Sequence, residues 1–270
     1  MWDLIRCEWL KLRRCPILLV GIAAMSLCPA VQYGSQQMVA PEFQTPDYGF
    51  SQLFASVIWG NTQIFLPISL VMTGGWMIDR ERGNDTEKNL LTLPVSYPRL
   101  LMGKLAAAGM LALLFGLCSA VSTLFTGILA GLPGGSPEMI LDQTGRLTAA
   151  ALATWVACMP LILLFGQLPR AYLGGSILAF LMGYCILFFK DGFLLSAYPF
   201  SAALVLSGFS MAEFNGAKED PNFWLALGSL AAVGMVTGGI LLLSADRGRT
   251  DSFRKRKRGG KRGRRRSGQK

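Results

Sequence analysis

Chemistry has few places to reside in this chain. The sequence has no histidine, which removes His-based triads, His-ligated zinc and imidazole proton relays. Its six cysteines, Cys7, Cys15, Cys28, Cys118, Cys158 and Cys185, are widely spaced and match neither a disulfide framework nor a metal-ligand pattern. They read as small buried hydrophobes. No Gly-x-x-x-x-Gly-Lys-Ser/Thr is present: the nearest fragment, Gly103-Lys104, runs into Leu105 and lacks the glycine loop that cradles phosphates. The chain therefore has no P-loop with which to hydrolyse ATP. What remains is one stretch and one pair. The stretch is Asp79–Arg99, DRERGNDTEKNLLTLPVSYPR, the most polar interruption of the first 245 residues. The pair is Asn61 and Gln63, amides inside an apolar run. Polar groups in lipid are costly, so the two are candidate pathway residues. The simpler reading is helix–helix hydrogen bonding, worth about 0.6 to 2 kcal/mol per contact.

The polar stretch has its own local logic. Gly83 breaks the chain, and Asn84 with Glu87 three residues later forms a capping pattern that satisfies the first N–H groups of a helix. Pro94 ends that helix, because proline disfavours a helical conformation in the residue before it. Pro98 suits the first turn of the next one. The spacing predicts a short helix over Asp85–Leu93 that displays Leu90, Leu91 and Leu93, an apolar knob in need of a partner.

The elements around it are membrane helices. The chain is 52% hydrophobic, with a mean hydropathy of +0.42. About 20 apolar helical residues cross ~30 Å of hydrocarbon, and the runs 16–33, 50–78, 105–132, 147–166, 171–189 and 223–244 are expected as six spans. The run 50–78 exceeds one straight crossing and is expected to tilt or to kink at Pro67. Lys104 stands where it can snorkel from the third span, and Pro133–Arg146 reads as a Gly/Pro loop. Gly-Gly pairs at 74, 174 and 238 and the Ala106–Gly109 run permit close helix approach, within the chain or between chains. Met1–Arg14 carries six charges and no small-residue cleavage site, and is expected to be retained. Its apolar residues Trp2, Leu4, Ile5, Trp9 and Leu12 oppose Arg6, Lys11, Arg13 and Arg14. That pattern fits an amphipathic helix in the membrane interface, or else a plain extension of the first span.

Orientation follows from where Lys and Arg fall. With six spans, 23 of the 26 lie on one side, and only Arg146, Lys190 and Lys218 on the other. The expectation is a multi-pass membrane protein with both termini and the polar stretch in the cytoplasm. Residues 192–212 carry no charge and are long enough to cross. A seventh span there would expel the basic tail, so an external re-entrant hairpin around Pro199 is preferred and seven spans is the alternative. Residues 246–270 hold thirteen Lys/Arg and two Asp and read as a disordered cytoplasmic tail. It can act as a topogenic stop, a grip on anionic lipid or a nucleic-acid contact, the first two being the simpler.

The order of parts resembles the permease subunit of type-2 ABC exporters. A Glu/Lys-bearing amphipathic helix (Glu8, Trp9, Leu10, Lys11, Leu12) comes first. The loop between spans two and three carries an acidic residue, a Gly, and Thr86, Glu87, Leu90, Pro94, Val95 and Ser96 in the family's T-E-x-x-L-x-x-x-P-V-S pattern, with Lys104 where a basic residue enters span three. The Arg-rich tail departs from that pattern. In size the chain is most similar to the small permeases of lantibiotic and bacteriocin immunity exporters. The resemblance implies an all-α transmembrane domain over residues 1–245 and a dimer of permeases, alike or different. It also implies two separate cytoplasmic ATPase chains holding ATP and Mg, no cofactor on this chain, and an amphiphilic peptide as cargo. It makes Glu81, Gly83, Asn84, Asp85, Thr86, Glu87, Lys88, Leu90, Leu91, Leu93 and Pro94 the coupling segment onto the ATPase. Export of another small amphiphile or drug, or a non-transporting membrane scaffold, are the alternatives; the absence of any ionisable residue in mid-span argues against an ion-coupled carrier.

Overall fold

The computed structural model describes residues 2–12, 15–39, 48–83, 96–211, 214, 216 and 221–266. Among them every regular element is helical. A short helix α1 (Trp2–Leu12) precedes α2 (Pro16–Met38), which starts on a proline whose missing N–H costs nothing in a first turn. Then come α3 (Phe50–Gly60), a single π-helical turn (Asn61–Phe65) and α4 (Leu66–Gly83), which together make one long traverse. After the polar stretch follow α5 (Tyr97–Leu129) and α6 (Pro137–Gly166). The chain continues through α7 (Tyr172–Tyr184) with a 3-10 turn Cys185–Phe188, then α8 (Gly192–Ala197), α9 (Pro199–Leu206) and α10 (Phe223–Arg266).

Five of these helical runs are long and apolar enough to cross a membrane: Pro16–Met38, Phe50–Glu81, Tyr97–Leu129, Pro137–Gly166 and Phe223–Ser244. The sixth expected span is the shorter run Tyr172–Phe188. At 1.5 Å per α-helical residue and ~2 Å in the 3-10 turn it reaches about 27 Å, at the lower edge of a crossing. The traverse Phe50–Glu81 is the axis of the fold: 72% of its most apolar window is buried within the protein, against 22% for α2 and for Phe223–Ser244. Helices α6 and α7 pack along α4, while α5 lies between α6 and α2, and α9 between α6 and α10.

Several boundaries differ from expectation, each for a local reason. Helix α5 begins at Tyr97, with Pro98 in its first turn as the sequence suggested. Helix α6 begins at Pro137, so most of the expected loop Pro133–Arg146 is helical. The Ser136 side chain accepts the Met139 N–H at 3.3 Å, Pro137 takes the first position, and Glu138 sits in the positive first turn. Residues 192–212 are not one crossing helix. They break at Tyr198, whose backbone is extended, into pieces of 6 and 8 residues. Serines occupy carbonyls beside the break: Ser201 Oγ donates to Leu195 O at 2.6 Å and to Tyr198 O at 3.1 Å, and Ser229 Oγ to Ala197 O at 2.7 Å. Irregular backbone is tolerable at depth when protein satisfies it in this way. Finally, α10 continues to Arg266, into the stretch expected to be disordered. A span already supplies the costly helix nucleus, and Lys and Arg propagate helix well.

Candidate functional site

The polar stretch has two described stems, the end of α4 and the start of α5. Between them, Asn84, Asp85, Thr86, Glu87, Lys88, Leu90, Leu91, Leu93 and Pro94 lie outside the described residues, and so does the predicted short helix. The stems carry an unexpected feature. Lys104 was expected to snorkel; instead it is 2% exposed, with Glu8 at 7% and Glu81 at 8%. Its ammonium meets Glu81 Oε1 at 2.9 Å, the Met77 carbonyl at 2.9 Å and Glu8 Oε2 at 3.4 Å. Three acceptors match its three N–H donors. A second ammonium, Lys11, binds Glu8 Oε1 at 2.7 Å and Glu81 Oε1 at 3.1 Å. Two carboxylates and two ammoniums thus close a ring that joins α1, the end of α4 and the start of α5. Snorkelling loses because the buried position offers Lys104 two carboxylates and a carbonyl at once.

The ring also reorients α1. Leu12 (2% exposed) and Glu8 are its buried residues, while Trp2 is 73% exposed, so the face that meets the bundle includes an acid the amphipathic pattern left out. Burial by itself pulls the Lys11 ammonium down, but its hydrogen bonds and charge attraction to Glu8 and Glu81 outweigh that, and its pKa is raised. Two residues extend the assembly. Arg80 lies over the Trp76 ring at 4.8 Å and donates to Cys15 Sγ at 3.0 Å. Asp79 Oδ1 accepts the backbone N–H of Arg170 at 3.1 Å, in the α6–α7 turn where Arg170 has φ of 56°. For a non-glycine residue that left-handed backbone is uncommon, and the Asp79 carboxylate stabilises it.

The pair Asn61 and Gln63 lies in the π turn, 0% and 4% exposed. Asn61 Nδ2 donates to Ser119 Oγ on α5 at 2.7 Å, the helix–helix bond that the simpler reading anticipated. Gln32 on α2 reaches the backbone of Gly60 just before the turn, where a Cβ would overlap its amide. On the other flank Gly183 of α7 lies against the Gln63 carbonyl and the Pro67 ring. The π turn ends two residues before Pro67, the residue at which a kink was expected. A recess of about 910 Å³ between α2 and α5 is lined by Ser26, Tyr33, Ser122 and Phe125 among others, and not by Asn61 or Gln63.

A family model described as "ABC-2 family transporter protein" matches residues 4–186, more than half of the 270 residues, and those residues contain the ion ring and the π turn. The chain belongs to the ABC-2 transporter family. It is an integral membrane protein and the permease subunit of an ABC transporter, and ATPase subunits are its partners, in keeping with a chain that has no P-loop. No curated protein and no solved structure matches. Glu81 and Gly83 are the described members of the expected coupling segment of this ABC-2 permease, and Glu81 joins the ring. The sequence named Glu8, Lys11, Glu81 and Lys104 separately but held no direct sign that they meet. The available cue was Glu8 itself, an acid between Ile5, Trp9 and Leu12 on an otherwise apolar face, which needs a buried cation. Ser119 and Gln32 were missed, since single polar residues in long apolar runs look alike.

Proposed function

We propose that this ABC-2 permease exports an amphiphilic peptide of the lantibiotic or bacteriocin kind from the membrane or cell, conferring self-immunity or resistance. It works as a pair of permeases, alike or homologous, driven by two cytoplasmic ATPase chains that hold ATP and Mg. In this reading Tyr172–Phe188 is the sixth span, 192–212 is the external re-entrant hairpin, and α1 lies in the inner interface of a bacterial plasma membrane with both termini cytoplasmic. The predicted helix Asp85–Leu93 sets its leucines into a groove of the ATPase, a helix-in-groove contact, with Glu87 and Lys88 at its sides.

The observation that carries the coupling part is the closed ion ring at the stems. Because Lys104 binds both Glu81 and Glu8, and Lys11 bridges the same two carboxylates, a force applied between residues 84 and 95 reaches α4, α5 and α1 together. The peptide cargo is supported by the resemblance in size and order of parts, and an exporter of another amphiphile shares the same coupling. The experiment is co-purification with the ATPase together with export of a fluorescent cationic amphipathic peptide. Leu91→Asp or Glu87→Lys abolishes both while the permease still inserts at normal levels. Normal export by both variants removes the coupling assignment.

A further inference from the structure

The π turn Asn61–Phe65 combines three features that ordinary helix packing does not explain. First, its hydrogen bonding is displaced: the Leu66 N–H returns to Asn61 O, five residues back, and Pro67 has no N–H to give the Gln63 carbonyl four residues back. Second, three successive side chains in it hold polar atoms without a hydrogen-bond partner, Asn61 Oδ1, Thr62 Oγ1 and Gln63 Nε2. They are 0%, 0% and 4% exposed. Third, the turn sits where neighbours approach closely, with Gly183 against the Gln63 carbonyl and Gln32 against Gly60.

Leaving a polar group buried and unpaired costs about 1–3 kcal/mol, and buried groups of this kind are ordinarily paired with protein or with ordered water. The three atoms include a carbonyl acceptor, a hydroxyl and an amide donor, which is the set of partners a water molecule uses. None of them is charged, and they combine acceptor oxygens with an N–H donor, so a neutral ligand that both donates and accepts hydrogen bonds fits.

We propose that this turn is a hydration site inside the bundle, binding water through Asn61, Thr62 and Gln63, and that it is the joint at which the central traverse bends. Water exchanges its hydrogen bonds as the geometry changes, so α4 can tilt with the ion ring while α3 keeps its packing. The use of that bend in transport rests on the coupling reading above. The hydration does not, and its test needs neither ATPase nor cargo.

The test is pulsed hydroxyl-radical labelling of the full chain in phosphatidylcholine nanodiscs, read residue by residue by mass spectrometry. Radicals formed at bound water mark the side chains beside it. Ile58 and Leu66 flank Thr62 and are 0% and 1% exposed; Leu111 and Leu147, at 0%, are the apolar controls. Several-fold higher marking of Ile58 and Leu66 than of the controls is the expected result, and equal marking overturns the hydration site. Thr62→Val with Gln63→Leu brings marking down to control level, whereas marking unchanged in a folded double variant assigns the water elsewhere and also overturns it. If that variant does not fold, the wild-type comparison decides. Amide hydrogen exchange on the same sample tests the bend. Faster exchange over 62–68 than in the flanking helices supports a joint, and equal protection refutes it.

Discussion

The ion ring and the π turn are both polar, both buried, and both on the same traverse of the chain, yet they are satisfied to opposite degrees. In the ring, the ammonium of Lys104 has three acceptors and each carboxylate has more than one cation. In the π turn, the polar atoms are neutral and three lack a partner. The difference follows from what burial costs. An unpaired buried charge costs several kcal/mol and is not tolerated, whereas an unpaired neutral group costs about 1–3 kcal/mol and can be carried. Full pairing makes the ring a stiff junction between three helices. In the proposed coupling, the ring receives force and the partly paired π turn is the point that bends.

Four substitutions break or sharpen this contrast. Lys104→Met has the largest expected effect. It leaves two buried carboxylates with only Lys11 between them, and removal of one partner of a buried ion pair typically costs about 3–5 kcal/mol. Thermal unfolding in detergent measures the loss, and the triple variant Lys104→Met, Glu8→Gln, Glu81→Gln recovers much of it. Failure of that recovery would mean that packing, not charge, holds the stems. Gly183→Ala comes next. Its Cβ would overlap the Gln63 backbone carbonyl, and such overpacking costs about 1–3 kcal/mol. A wild-type unfolding midpoint would show that the turn yields more readily than its packing suggests.

Ser119→Ala removes the side-chain partner of Asn61 and is expected to cost about 1–2 kcal/mol, because the buried amide is left without a side-chain partner. A loss as large as that of Lys104→Met would erase the distinction between the two regions. The smallest effect concerns Lys11. Its folded pKa is raised above the ordinary value of 10.5, so its contribution to stability is fully present below that pH and is lost as pH rises through the folded value. Lys11→Gln therefore flattens the decline in stability above about pH 10.5, as read by unfolding midpoints across pH. A third of its side chain is exposed, and solvent screening keeps the effect modest.

Much of the architecture was legible in one dimension. Apolar runs of the right length located the membrane helices, and Pro98 and Pro16 marked helix starts where the structure has them. The resemblance to ABC permeases, in a chain without a P-loop, implied separate ATPases, and the family match agrees. Other starts were obscured by competing signals. Ser136-Pro137 looked like loop chemistry because Gly134 and Gly135 precede it, although the same residues cap a helix. Tyr172–Phe188 was read as a span equal to the rest, because composition does not show where an α-helix tightens into a 3-10 turn.

Length, hydropathy and charge placement along the chain thus determined a polytopic helical membrane protein with one strongly polar loop between spans, because partition into a bilayer depends on local composition. The ion ring and the π turn were decided only in three dimensions. Glu8 and Lys104 stand 96 positions apart, and Asn61 and Ser119 stand 58 apart. Whether a buried polar group is paired depends on which helix lies against it, and that is settled by packing.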